Sequence, residues 1–373
     1  MLKKIIIGVD IRDLRIAGTG TKTYLEELCS QFKKMDGIEC KFYFFDTFLP
    51  VYKGKNKLLK FTEHIRFQLW KQFLLPVKAG IKRCDVVFCT DFFVPYLHLG
   101  FSTVPVFHDA FFFEYPSHYN KIWLWLFKKT AVPAARRSAF IITPSYYVKE
   151  KVTQYTHIHK DKIIPVYEAA KTFGNDDVNT FDQHRQNAQL KYIFHVGVLD
   201  KRKNLTRLIQ AFKLLVDEGN NDLFLILAGQ PGTKIFSNDL DNIKDTITKN
   251  NLTEKIILTG YLSDIELAFY YKHAFLYVFP SLNEGFGIPV LEAFGFDVPV
   301  LIANNSSLPE IGGEAVVSFD PLDITDIAKK IRLALNDEKT RNEMIANGRK
   351  RVKDFSWEKA AKELIQLFTS IRK

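Results

Sequence analysis

FPSLNEGFGIPVLEAFGF, residues 279–296, is the stretch from which the fold can be read. Just upstream, HAFLYVFP at 273–280 is a short apolar run closed by a proline, the pattern of a strand buried on both faces of a parallel sheet. Gly285 and Gly287 then free the backbone for positive φ and close approach to a ligand. Pro289 suits the first turn of a helix, where its missing N–H leaves nothing unpaired. The pattern predicts strand, glycine loop and a helix beginning near Ile288. The free N–H groups and positive dipole end of such a helix attract a phosphate or diphosphate. Glu284 in the loop and Glu292 in the first turn flank that anion site. Carboxylates repel phosphate, so their partners are hydrogen-bond donors, and vicinal sugar hydroxyls fit. A diphosphate with a ribose on one side and a hexose on the other is a nucleotide sugar. The plain alternative is a capped helix with two ordinary acids, since Glu near a helix start gains about 0.3–1 kcal/mol with no ligand at all.

The same stretch resembles the donor-site motif of retaining glycosyltransferase family 4, with Glu284 and Glu292 in E-x7-E spacing around GFGIP. With the matches given below, the resemblance extends over nearly the whole chain. It implies the GT-B architecture, an α/β fold of two Rossmann-like parallel-sheet domains facing a central cleft. It also implies that Glu284 contacts the donor sugar hydroxyls and Glu292 the ribose. The backbone of Gly285, Phe286 and Gly287, leading into Ile288, would approach the sugar and diphosphate.

Composition agrees with a globular protein of two domains: 373 residues, 47% of them hydrophobic. No run of 18 apolar residues occurs, and MLKKIIIGVDIR leads straight into a charged strand, which predicts a cytosolic location. Cys29, Cys40, Cys84 and Cys89 form no C-x2-C pair and read as buried thiols, not as a zinc site or disulfide framework. The net charge of +10 is uneven. Residues 1–186 hold 28 Lys and Arg against 18 Asp and Glu, and residues 187–373 hold 24 of each. A basic first half fits an anionic membrane surface, an anionic acceptor or nucleic acid, or is simply a solvated face.

Along the chain, KKIIIGVDIR is a strand, followed by a loop with Gly18 and Gly20 and a helix carrying Tyr24, Leu25 and Leu28. Thr23 breaks the full dinucleotide fingerprint. The resemblance places Gly20 near the donor phosphate. Residues 51–83 carry nine Lys and Arg against Glu63 alone, and the spacing of Phe61, Ile65 and Leu69 predicts an amphipathic helix with a basic outer face, packed on the sheet or touching lipid. STVPVFHDAFFFEYP ends a strand in His108-Asp109, where open α/β sheets place ligands. The family carries an HD motif there, which implies His108 near the reacting sugar. Ser145 is the expected N-cap of the next helix, and KIIPVYEAA closes a first domain of residues 1–170. Residues 171–190 are polar and read as a linker.

The second domain, residues 191–355, opens with strand YIFHVGVL and the basic turn DKRKNL. Arg202 and Lys203 at a strand's carboxyl edge would neutralise a departing nucleoside diphosphate, and the family's R-K-N-L segment matches them. In relatives the backbone near the residue matching Leu262 meets the base. A polar turn with Ser306, Ser307 and Glu310 borders the donor site in the family. Residues 356–373 form a closing helix that in GT-B proteins crosses back to the first domain, with Trp357 as its anchor.

The resulting expectation is a retaining hexosyltransferase using a GDP- or UDP-sugar and a saccharide or lipid-linked acceptor, with no metal or other cofactor and no nucleic-acid partner. Such an enzyme would act in cell-surface polysaccharide or glycolipid synthesis, in the cytoplasm or peripherally on the inner face of the membrane. The rival is a non-catalytic binding or partner subunit of the same fold.

Overall fold

The computed structural model describes residues 4–37, 39–52, 54, 56–174, 189–232 and 238–371. The chain forms two compact units, Met1–Glu168 together with Ser356–Lys373, and Ala169–Phe355. Most of the linker read at residues 171–190 lies outside the described residues. Lys171 and Phe173 at its start pack within the second unit, on Asp264 and on Tyr271 and Phe296.

The first unit begins with β1 (Ile5–Asp10), whose run of β-branched residues is almost entirely buried. α1 (Thr19–Met35), β2 (Cys40–Phe45), α2 (Lys57–Leu69), α3 (Leu75–Ile81), β3 (Val86–Cys89) and β4 (Ser102–Pro105) follow. The four strands form a parallel sheet in the order β2-β1-β3-β4. α4 (Lys121–Arg137), β5 (Ile141–Thr143), α5 (Tyr146–Thr156) and β6 (Ile163–Pro165) complete the run, with β5 and β6 paired in parallel beside it. Ser145 caps α5 through the Val148 N–H. The four cysteines are free and buried, and burial pushes the thiols of Cys29 and Cys84 up to about 12.

Two expectations for this unit need correction. Gly18, in extended conformation, is the N-cap of α1, so the helix starts at Thr19 and Gly20 lies in its first turn instead of in the loop. The second concerns α2. Phe61, Ile65 and Leu69 face solvent, at 62%, 47% and 45% exposure, and the inward side carries Trp70, Lys71, Leu75 and Ala79. Helical periodicity marks an apolar stripe but not which side the sheet covers. Here the buried side is fixed by polar anchors: Trp70 Nε1 donates to Asp10 (3.0 Å), Lys71 pairs with Asp10 and Asp91, and Arg12 pairs with Glu63. A five-residue π-helical segment, Trp70–Leu74, joins α2 to α3 and turns Trp70 and Lys71 inward.

The second unit runs β7 (Lys191–Val196), α6 (Leu205–Asp217), β8 (Leu223–Ala228), α7 (Leu240–Lys249), β9 (Ile256–Gly260), α8 (Asp264–His273), β10 (Leu276–Phe279), α9 (Ile288–Gly295), β11 (Val300–Ala303), β12 (Val316–Phe319), α10 (Ile324–Asn336) and α11 (Glu338–Arg351). Its six strands are all parallel, in the order β12-β11-β10-β7-β8-β9. α12 (Trp357–Ser370) packs in the first unit, where Trp357 meets Tyr24 edge-on and Phe368 meets Phe88.

Each main sheet reverses its winding once, between β1 and β3 in the first unit and between β7 and β10 in the second. Loops leaving the carboxyl ends of such strand pairs diverge and open a crevice, the usual ligand position in open α/β sheets.

Candidate active site

In the second unit the two diverging loops are those after β7 and β10. The first holds Arg202 and Lys203, the second Glu284. Asn204 sits at φ 56°, a left-handed conformation that Asn tolerates. Its side-chain amide donates to the carbonyls of Pro280 (3.2 Å) and Pro321 (2.7 Å), tying the first loop to the second. The Leu282 N–H donates to the Arg202 carbonyl (2.7 Å), and the Arg202 guanidinium donates to Asn283 O (3.2 Å) and Asp200 (3.0 Å). Across this junction Lys203 Nζ meets Glu284 Oε1 at 2.6 Å, with both side chains largely buried. Burial would raise the Glu284 carboxyl, but Lys203 and Arg202 more than offset it and hold the group below its usual value. Glu284 is therefore held as the carboxylate.

Gly287 alone of the two loop glycines takes positive φ, at 118°, and a Cβ there would press on Leu308. The helix starts at Ile288, and the Ser307 hydroxyl lies within reach of the Glu284 (3.0 Å) and Phe286 (2.7 Å) carbonyls, bracing the loop. Glu292 is the fifth residue of α9, one past the first turn, because the helix starts no earlier than Ile288. Its carboxyl is buried and accepts a hydrogen bond from the Tyr271 hydroxyl at 2.8 Å. Burial pushes it up to about 7, against the pull of that hydroxyl. Leu262 is buried in the turn between β9 and α8, just before Ser263, which caps α8 in a capping box with Glu266. Tyr271 was not singled out from sequence. Its only signal is FYYKH, a helical segment aromatic on more than one face.

In the first unit His108 follows β4. Its Nε2 donates to the Thr90 carbonyl (3.0 Å), and its Nδ1 faces Glu168 Oε1 (3.3 Å). Burial alone would lower the imidazole, but Glu168 raises it above its usual value, and both ring nitrogens face acceptor oxygens. The Tyr24 ring packs edge-on against it. Asp109 turns to its own backbone and accepts from the Phe111 N–H. Beside His108, at the β1–β3 reversal, Lys71 is 1% exposed and lies 2.6 Å from Asp10 and 2.5 Å from Asp91. Burial opposes its charge, yet Asp10 and Asp91 raise it well above the ordinary lysine value. Glu168, Lys71 and Asp91 escaped the sequence reading. Gly20 is exposed in α1. Among the described residues no group of three or more His, Cys, Asp or Glu side chains is placed to hold a metal ion.

The two reversals thus bring Arg202, Lys203 and Glu284 together in one unit and set His108 in the other. Comparison with known proteins identifies the family. The family model described as "Glycosyl transferases group 1" matches residues 176–351. The O-antigen chain mannosyltransferase B of Escherichia coli is 29% identical over 283 residues, covering 74% of this chain and 72% of that protein. The chain is a glycosyltransferase whose residues 176–351 form a group 1 domain. A second Escherichia coli relative, the serotype-specific mannosyltransferase WbdA, is 31% identical over 63% of this chain but only 29% of its own length. Among solved structures, the sucrose-phosphate synthase of Thermosynechococcus elongatus aligns over 99% of both chains with a TM-score of 0.73 at 17% identity. The Anabaena protein HepE, crystallised with UDP-glucose, aligns over 98% of this glycosyltransferase with a TM-score of 0.72 at 16% identity. The fold is GT-B.

Proposed function

We propose that this glycosyltransferase moves a hexose, with mannose favoured by its relatives, from a nucleoside-diphosphate sugar to a saccharide of a growing cell-surface polysaccharide, with retention of configuration. The observation that carries this reading is the Lys203–Glu284 pair across the β7–β10 reversal, beside the start of α9. A donor lying there has its diphosphate at the Ile288 helix start and the Arg202 and Lys203 cations, and its hexose hydroxyls at Glu284 and the Gly285–Gly287 backbone. Its ribose hydroxyls lie at Glu292 and its base beside Leu262. Positive charge fixed where negative charge develops on the departing diphosphate stabilises the transition state without reorganisation. The glycosidic bond to the diphosphate breaks as the acceptor hydroxyl bonds to the same carbon from the leaving-group face, and a donor phosphate oxygen takes the hydroxyl proton. His108, with both ring nitrogens held by Thr90 and Glu168, is not placed to act as a base. The cations do this work without a metal cofactor.

Calorimetric titration with GDP, UDP, ADP and their sugar conjugates tests the reading. One nucleotide is expected to bind, and Glu292→Ala to weaken it; a folded protein that binds none overturns the donor site.

The acceptor side favours a lipid-linked saccharide. Phe61, Ile65, Leu69, Phe73, Val77 and Ile81 recur every four residues along α2 and α3, each at least 45% exposed. Exposed Lys60, Lys82 and Arg83 flank them. An apolar stripe with basic borders suits the interface of an anionic bilayer. No helix among the described residues is long and apolar enough to cross one. Co-sedimentation with phosphatidylglycerol vesicles but not with phosphatidylcholine vesicles is expected; equal behaviour with both removes the membrane from the reading.

A further inference from the structure

Glu292 is an unusual ribose ligand to build, because the residue is only 6% exposed. A buried carboxyl can receive two ribose hydroxyls only if it is oriented beforehand and keeps its charge. Among the described residues the side-chain donor to it is Tyr271, whose hydroxyl lies 2.8 Å from Glu292 Oε2. Tyr271 is itself fully buried. Its ring is clasped by Phe194 (5.2 Å, perpendicular), Phe296 (5.6 Å, stacked), Tyr277 (5.6 Å) and Phe173 (6.4 Å). A ring fixed on four sides holds its hydroxyl in one place, so the hydrogen bond is built into the fold before any ligand arrives.

We propose that Tyr271 is a positioning residue for donor binding, its hydroxyl holding the Glu292 carboxylate in the orientation that accepts the ribose hydroxyls. The proposal rests on the reading of Glu292 as the ribose ligand. With one lone pair of Oε2 committed to Tyr271, the remaining acceptor positions stay available to a diol, and only the ionised carboxylate has enough of them. Titratable and charged neighbours of Glu292 come from three elements. α8 contributes Tyr271 and Asp264, β10 contributes Tyr277, and the segment entering the second unit contributes Lys171. Lys171 Nζ pairs with Asp264 at 2.7 Å, so those two charges largely cancel at Glu292. The Lys171 backbone N–H is a second donor holding the charged form. Glu292 titrates at about 7, so donor affinity falls as pH drops through neutrality, and loss of the Tyr271 donor moves that fall upward.

The test is calorimetric titration of the full chain with GDP and UDP between pH 5.5 and 9. The variants are Tyr271→Phe, Glu292→Gln and the double substitution, each confirmed folded by thermal melting. Tyr271→Phe keeps the clasped ring and removes only the hydroxyl. It is expected to weaken the bound nucleotide by about tenfold at pH 7.5, the scale of one hydrogen bond to a charged group. It is also expected to shift the pH midpoint upward by roughly one unit. Glu292→Gln removes that step and leaves only the nucleotide's own phosphate titration, and the double variant binds as Glu292→Gln does. Tyr271→Phe with wild-type affinity and pH profile overturns the proposal, as does a further tenfold loss in the double variant, which would make Tyr271 act independently of Glu292. Absence of nucleotide binding by the wild-type protein overturns the underlying donor reading, a different result from a bound nucleotide that ignores Tyr271.

Discussion

The two winding reversals carry the same device, a buried lysine against carboxylates, to different ends. At β7–β10, Lys203 faces one carboxylate, Glu284, and both retain side-chain exposure of 10–13%. At β1–β3, Lys71 is sealed at 1% between Asp10 and Asp91, and Trp70 donates to the same Asp10. A pair left at the mouth of a crevice can exchange its partner for a phosphate or a hydroxyl. One closed on every side fastens secondary structure, here the α2–α3 helical run to the ends of β1 and β3. In the proposed function the first arrangement serves binding, and the second holds the scaffold of the first unit.

Breaking each pair separates the two roles. Lys71→Met leaves two carboxylates buried without their cation, and removing one partner of such a pair costs about 3–5 kcal/mol. Chemical denaturation of this variant is expected to show that loss, with nucleotide affinity of the folded protein unchanged because the proposed donor residues lie in the other unit. Lys203→Met is the converse. Turnover is expected to fall by about 10²–10³-fold, the scale for losing a preorganised donor at developing charge, and a donor-turnover assay beside a melting curve distinguishes the cases. If Lys71→Met abolished nucleotide binding in folded protein, or Lys203→Met left turnover intact, the division of labour would be wrong.

The donor-side carboxylates differ from one another in the same sense. Glu284 has cations beside it and is held low; Glu292 is hydrogen-bonded by neutral donors, the nearby Lys171 is paired with Asp264, and burial raises the carboxyl to about 7. A folded-state value above the unfolded one means stability is fully present below about 4.5 and is lost as pH rises through 7. Glu292→Gln is therefore expected to raise the melting temperature at pH 8, by a free energy on the order of 2–3 kcal/mol, and to change little at pH 4.5. Equal melting shifts at both pH values would mean that burial of this charge does not limit stability.

What could be read from sequence follows the same division. The 279–296 stretch was legible because strand end, loop, helix start and Glu284 are contiguous, and each has a local chemical reason. Arg202 and Lys203 stood out through the resemblance to an R-K-N-L segment, since the turn alone is an ordinary polar one, and the structure sets Lys203 on Glu284. Lys203 and Glu284 are 81 residues apart, yet both stand at carboxyl strand ends, so their meeting follows from the sheet order. His108 was visible, but its partner Glu168 was not: KIIPVYEAA reads as a closing strand, and nothing local points its acid across 60 residues to an imidazole. Lys71 was hidden in a basic segment whose other lysines read as solvated. A signal existed nonetheless, since Asp10 closes a buried strand and Asp91 stands two residues past the end of its neighbour, and two carboxylates set so close require a cation between them. Tyr271 was missed because a buried tyrosine in an aromatic helix looks like packing until its hydroxyl is located.

The orientation of α2 is the sharpest case, and it yields the smallest expected effect on stability. The sequence allows the helix to pack on the sheet or to touch lipid and puts its basic face outermost, whereas the apolar stripe itself faces solvent; the alternation alone fits either side. Substitution separates the two faces. Phe61→Ser and Leu69→Ser remove side chains that are 62% and 45% exposed, so each is expected to alter folding stability by less than about 0.5 kcal/mol. Trp70→Ala, one position along and fully buried, is expected to cost about 3–5 kcal/mol. If the stripe meets lipid, the same two serine substitutions weaken binding to phosphatidylglycerol vesicles, by about tenfold each for the loss of a large apolar side chain from the interface. Lys60→Gln and Lys82→Gln instead make the remaining binding less sensitive to salt, because a charge at the headgroups is screened while an inserted ring is not. Serine variants that bind vesicles like the wild type would leave the exposed stripe without a lipid partner. Serine variants that unfold would return α2 to the packed orientation that periodicity alone allows.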